Sequence, residues 1–186
     1  GAPTEERAPA SARLHGAHEI LDAKDSKSPI FKFNVPMTCG KCHEQISKEF
    51  QQSIHGQAIA RANWQAPVCT DCHGIHSIKA HTDPNSPVSA QNVAQATCAR
   101  CHEGMRLSQE FGVPGGRVSS YFDSYHGLAS EGGSVVAANC SSCHGVHIIL
   151  PSGDPNSTIS HENLGATCGK CHQGVTQKFT QTKVHQ

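Results

Sequence analysis

The sequence predicts mainly short α-helices and loops, with little or no β-sheet, arranged around an interior that side chains alone do not fill. Three observations predict this. Only 36% of the 186 residues are hydrophobic and 5% aromatic, a poor stock for a packed core. No stretch alternates polar and apolar residues for long enough to make a sheet. Ten cysteines and fourteen histidines instead supply a dense set of metal-ligating side chains.

Along the chain, residues 1–36 begin with GAPTEERAPASAR, rich in Pro, Ala and charge, and read as an extended N-terminal segment that contains His15 and His18 in HGAH. A second region, 37–186, is built from two and a half copies of a unit, at about 39–97, 98–167 and 168–186. Each copy opens on TC-x-x-CH and a segment of helix-permitting composition. Ile46 and Phe50, and again Val175 and Phe179, fall four apart on one helical face. EGMRLSQEF (103–111) is read the same way in the second copy. CTDCHGIH and CSSCHGVH follow in the two full copies, then DPNS turns at 83–86 and 154–157, with helices expected to start near Ser89 and Ser160. Gly112, Gly115, Gly116, Gly132 and Gly133 mark loops in a longer insertion of the second copy.

All ten cysteines fall in pairs: Cys39/Cys42, Cys69/Cys72, Cys98/Cys101, Cys140/Cys143 and Cys168/Cys171. Each pair is followed at once by a histidine: His43, His73, His102, His144 and His172. One C-x-x-C-H suggests covalent attachment of haem c, and five with no cysteine left over make the case strong. Two thioethers fix one porphyrin edge while the adjacent histidine reaches the iron. Structural zinc or a disulfide framework would use the same cysteines, but neither requires histidine after every pair. The fold class thus becomes short helices and loops wrapped around a stack of covalently bound haems, and the polypeptide without them is expected to be largely unfolded.

Nine histidines remain for the opposite faces of five irons. His55 in SIHG and His126 in SYHG recur after the odd-numbered motifs, with His185 in the looser TKVHQ. His76 and His147 lie three residues past the proximal histidine of the even motifs, too close on the same side to reach that haem's far face. They are expected to cross to a neighbouring haem. His15 and His18 compete for an iron, His18 being the expected ligand of the two. His81 and His161 occupy no equivalent positions and read as loop residues.

Formal charge is zero, with no basic run, which argues against nucleic acid and polybasic membrane surfaces. Ten propionates would make the loaded protein acidic. No apolar stretch approaches the roughly 18–20 residues of a membrane span; any signal peptide has been removed or was never there, and an anchor outside these 186 residues stays open.

The run TC-x-x-CHE followed by F-x-x-S-x-HG (Cys39 to Gly56), and CHG-x-H-x-I followed by DPNS (Cys72–Ser86 and Cys143–Ser157), resembles the multihaem cytochromes c of bacterial respiratory chains. The likeness covers roughly residues 37–186. It implies bis-histidine haems in alternating parallel and T-shaped pairs, forming a conduit in the periplasm or at the cell surface. It also implies redox protein partners and, in some relatives, filaments in which a histidine of one subunit ligates haem in the next, a role open to His15, His18 or His185. Electron transfer is the expected function and no catalytic residue is assigned. The alternative is a reductase of a small oxyanion or nitrogen compound, which needs an iron with an open or labile sixth position.

Overall fold

Three stretches of the chain fold alike, each a five-residue helix followed by a ladder of turns and a second short helix. The helices Ser11–His15, Cys69–His73 and Cys140–His144 open them. In the computed structural model, residues 11–16, 18–104, 109, 112, 115–181 and 184–185 are described. Among them there is no β-strand, and no helix is long and apolar enough to cross a membrane.

The ladder advances three residues at a time. The amides of Asp83, Ser86, Ser89 and Asn92 each donate to the carbonyl three residues back, and those of Asp154, Ser157, Ser160 and Asn163 do the same. Asp25, Ser28, Phe31 and Asn34 repeat the pattern near the N-terminus. Side chains lock it. Ser28, Ser86 and Ser157 are buried, and their hydroxyls donate to the carbonyls of Leu21, Lys79 and Leu150. Asn34, Asn92 and Asn163 each donate Nδ2 to two carbonyls, at 2.8 and 2.9, 2.7 and 2.9, and 2.8 and 2.9 Å. Thr38, Thr97 and Thr167 close each stretch by donating Oγ1 to Pro29, Pro87 and Thr158 oxygens.

Two sequence expectations change here. Residues 1–10 lie outside the described residues, but from Ser11 the segment read as extended carries a helix and the first turn ladder, because Ser28, Asn34 and Thr38 tie it down as their counterparts do elsewhere. The helices expected near Ser89 and Ser160 begin later, at Val93 and Leu164, because the asparagine side chains hold the ladder together up to that point. Asn92 and Thr97 have four residues between them where the other two copies have three, and the extra residue is accommodated by a π-helical turn at Val93–Cys98.

Glu44–Gln52 forms the expected helix carrying Ile46 and Phe50, and it packs on both Val35–Gly40 and Ile54–Ala60. Gln177–Thr180 is shorter than expected and leaves Val175 outside. Most of EGMRLSQEF lies outside the described residues. Arg117–Phe122 and Tyr125–Glu131 pair as the second copy of the helix-cap-helix arrangement.

The side-chain core is small. Val35, Ile59, Ala66 and Val68 cluster with Phe33 and Phe50 against them, and Val93, Ala94, Val118 and Tyr121 are the other buried apolar residues described. Larger apolar groups face outward: Tyr125 is 92% exposed, Val136 86% and Met37 71%. Protein surfaces carry scattered apolar atoms, yet a chain that buries its serines and exposes its large side chains has apolar surface left to cover.

Candidate functional site

The even motifs are helices in themselves, Cys69–His73 and Cys140–His144. Their starts are capped: Asp71 Oδ2 accepts from Val68 N at 2.8 Å, and Asn139 Oδ1 from Ser142 N at 3.2 Å. Both end on glycine at φ 83°, Gly74 and Gly145, a left-handed backbone that glycine adopts without strain. That reversal is why CHG recurs. The odd motifs sit instead where a longer helix ends: Cys39 and Cys168 lie in the last turns of Val35–Gly40 and Leu164–Gly169. The amides of His43 and His172 each return 2.9 Å to the carbonyls of Cys39 and Cys168.

The ten cysteines, alike in the sequence as attachment points, are not alike in the structure. Cys42, Cys101 and Cys171, the second cysteines of the three odd motifs, are exposed, whereas the other seven are half-buried. For Cys42 the reason is local. It stands two residues past the end of Val35–Gly40, in a turn closed by its amide donating 3.2 Å to the Cys39 carbonyl, and so leaves the face on which Cys39 packs against the apolar cluster. Cys171 stands in the same turn after Leu164–Gly169, its amide 3.2 Å from the Cys168 carbonyl. Within this pair Cys39 is half-buried against the apolar cluster and Cys42 is exposed.

Neighbouring motifs lie near one another in chain order, through thiol hydrogen bonds between the first and second and between the third and fourth and through electrostatic influence between the thiols of the others, and all ten thiols are free. Cys69 donates a thiol hydrogen bond to Cys39, which lowers Cys39 to about 7 and, with burial, raises Cys69. Cys98 donates to Cys140 likewise, so that Cys140 is lowered and Cys98 raised. Burial chiefly, then Asp71 and Cys101, pushes up Cys72, which links the second motif to the third. Cys143 is pushed up by burial and by Cys168, which links the fourth to the fifth.

Four proximal histidines face a second imidazole. His102 stands opposite His55, with ring centres 6.1 Å apart, His73 opposite His147 at 6.3 Å, His172 opposite His126 at 5.9 Å and His144 opposite His185 at 6.2 Å. These are too far for contact and too regular for coincidence. A metal–imidazole bond of about 2 Å on each face, plus about 1.1 Å from ring centre to nitrogen, separates two trans ligands by about 6 Å. The separations therefore match the width of a metal ion held between two imidazoles. Among the described residues no three His, Cys, Asp or Glu side chains converge on a metal-sized site.

Local structure explains how S-x-H-G delivers its histidine. Ser53 and Ser124 cap the helices Ile54–Ala60 and Tyr125–Glu131, accepting from the amides of Gly56 at 3.0 Å and Gly127 at 3.2 Å. Each serine also donates, at 2.6 Å, to the last helix before it, at Phe50 and Tyr121. Gly56 and Gly127 press against those same carbonyls, leaving no room for a Cβ. The first helical amide, that of Ile54, donates 2.8 Å to Ile149, tying the His55 cap to the segment after His147.

Burial favours the neutral form, the one that ligates metal, at five of these imidazoles. It lowers His55 to about 4, with help from His102, and lowers His73, His102, His144 and His185 as well. Glu49, not singled out by the sequence, places Oε2 3.8 Å from His147 Nδ1, beyond a direct hydrogen bond but close enough for its charge to act on the ring. The repeated EF segment gave no sign of it.

The remaining histidines divide. His15, rather than His18, stands opposite His76, with ring centres 6.2 Å apart, and neither belongs to a C-x-x-C-H motif. His43 has no imidazole opposite it among the described residues, and His18, His81 and His161 are exposed. A cleft of about 460 Å³ borders Cys171, His172, Val175 and Phe179. No protein-family model, curated protein or solved structure matches the chain.

Proposed function

We propose that the chain is a five-haem cytochrome c that carries electrons, with haem attached at each C-x-x-C-H and bis-histidine ligation at four or more irons. The observation that carries this reading is the set of four proximal histidines, each facing a second imidazole 5.9–6.3 Å away. The residues fit an iron porphyrin in other respects. Each motif offers two free thiols for vinyl groups, Cys42 and its exposed counterparts among them. Exposed apolar side chains await cover, and the buried hydroxyls of Ser89 and Ser160, unpartnered at the same place in two copies, suit a propionate.

When bound, haem supplies a reversible one-electron couple. The chain's own residues do the rest. The paired imidazoles would hold an iron between them and leave little room for substrate there. Motifs that neighbour one another in chain order favour closely spaced cofactors, and the Glu49 carboxylate near His147 would strengthen its electron donation. Partners would be redox proteins outside the cytoplasm, where such a chain passes electrons from a respiratory donor to another cytochrome, a reductase or an extracellular acceptor.

His43 supports a second reading of one site. With no imidazole opposite it among the described residues, an iron held there would be open to a further ligand: water or a small substrate, as in a reductase, or a histidine of another copy, as in a filament. Electron paramagnetic resonance of the oxidised holoprotein, with haem counted on the same sample, tests both. Five haems with at least four low-spin bis-histidine signals support the carrier. Two or more high-spin irons, or fewer than five covalent haems, would overturn it. A single high-spin iron that turns low-spin on concentration assigns the His43 position to a second copy.

A further inference from the structure

His15 and His76 form a pair that no C-x-x-C-H motif accounts for, yet their geometry is that of the pair His73–His147. Ring centres are 6.2 Å apart with planes at 16° in the first, against 6.3 Å and 21° in the second. Both pairs join equivalent residues of the repeated unit. His15-Gly16 and His18 correspond to His73-Gly74 and His76, and to His144-Gly145 and His147. Each first histidine ends a five-residue helix, and each glycine after it has a left-handed backbone, at φ 90°, 83° and 83°. Thirteen residues on stand the buried serines Ser28, Ser86 and Ser157, and nineteen on stand the asparagines that lock the turn ladders. His76 therefore faces the helix of the copy before its own, as His147 does.

What differs is the attachment. Where the even motifs have Cys69 and Cys72, or Cys140 and Cys143, this copy has Ser11 and Leu14. A hydroxyl and an isobutyl group form no thioether, but axial coordination needs neither. We propose that His15 and His76 make a sixth bis-imidazole site, which takes an iron porphyrin held by its axial bonds and by packing alone. Binding forms two iron–nitrogen bonds, releases the water, hydroxide or halide that haemin carried on its iron, and breaks no bond in the chain. Iron porphyrin is favoured over a bare cation because the pair supplies only two opposed donors, and the porphyrin brings the other four.

The inference rests on the five-haem reading, and the test separates the two. Haemin is titrated into purified holoprotein, and covalent and acid-acetone-extractable haem are counted before and after. The expected result is five retained haems and one extractable equivalent, present at purification or acquired with saturation, showing a low-spin spectrum. His76→Ala, and separately His15→Ala, should lose that equivalent and keep the five. Non-saturating uptake, or uptake unchanged in both variants, with five covalent haems retained, would overturn the sixth site alone; a covalent count other than five would overturn the carrier reading first. A gain-of-attachment variant gives an independent readout. Ser11→Cys with Leu14→Cys makes residues 11–15 read as residues 98–102 do, CARCH. Maturation of that variant should add one haem mass to the denatured chain, and a mass unchanged from the five-haem protein would count against the site.

Discussion

Gly56 shows how narrowly a single residue can be constrained. Its backbone lies against the Phe50 carbonyl, so Gly56→Ala must push the cap of Ile54–Ala60 away and take His55 with it. A loss of about 2–3 kcal/mol in thermal or denaturant unfolding is expected, in the range of overpacked sites. Ala62 is the converse, a non-glycine residue at φ 59° just past the same helix, where Ala62→Gly should gain up to about 1 kcal/mol. His55→Ala, by contrast, should leave the fold and turn one iron high-spin. The pH dependence of this site has a definite sign. His55 falls from 6.5 in the open chain to about 4 when folded, so between those values the unfolded chain binds a proton that the folded one refuses. Stability from this group is full above 6.5 and is lost as pH falls towards 4; an acid titration followed at the Soret band should show no ligand loss near 6.5 and a transition at or below about 4. Glu49→Gln removes a charge 3.8 Å from His147 and should raise the potential of the iron it faces by about 60 mV, the one-electron equivalent of a tenfold weaker preference, read by spectroelectrochemistry.

At the scale of elements, the serine of S-x-H-G is a helix cap first, and the histidine is placed as a result. Ser53→Ala or Ser124→Ala should each cost about 1 kcal/mol in unfolding experiments, the usual value of a lost cap. This element is legible in the sequence because cap chemistry admits few residue types: serine to accept, glycine to fit, histidine between. The turn ladders are legible only in part. DPNS marks two of them, but the N-terminal one reads Asp25-Ser-Lys-Ser28, and only the aspartate and the last serine are common to all three. The same dilution hides the Ser11–His15 helix, whose two cysteine positions carry Ser11 and Leu14. The sequence therefore favours His18 as the ligand of the two, whereas His15 is the one that stands opposite His76. The contrast between Cys39 and Cys42 is hidden too, since a motif spells out spacing but not where its helix stops. The π-helical turn before Cys98 shows in the sequence only as one extra residue between Asn92 and Thr97, a spacing that acquires meaning once the two side chains are seen to do the same work in every copy.

At the scale of the molecule, the absence of sheet among the described residues and the shortness of the helices follow from composition, because so few apolar residues cannot organise longer elements. The partnering of histidines does not follow from it, since pairs such as His73 and His147 bring together residues far apart in sequence. The eight buried apolar side chains described are too few to hold this architecture against chain entropy. Chain produced without haem maturation should show little helical circular dichroism, and the matured protein a clear helical spectrum.

Each described pair draws its two imidazoles from different copies of the unit, and the direction alternates. His102 and His172 look back to His55 and His126, whereas His73 and His144 look ahead to His147 and His185. A chain emerging from its N-terminus thus completes these sites out of numerical order: the third motif as residue 102 appears, the second at 147, the fifth at 172 and the fourth only at 185. During synthesis the second motif would wait the longest with one side open, and the fourth would close only once His185 has emerged.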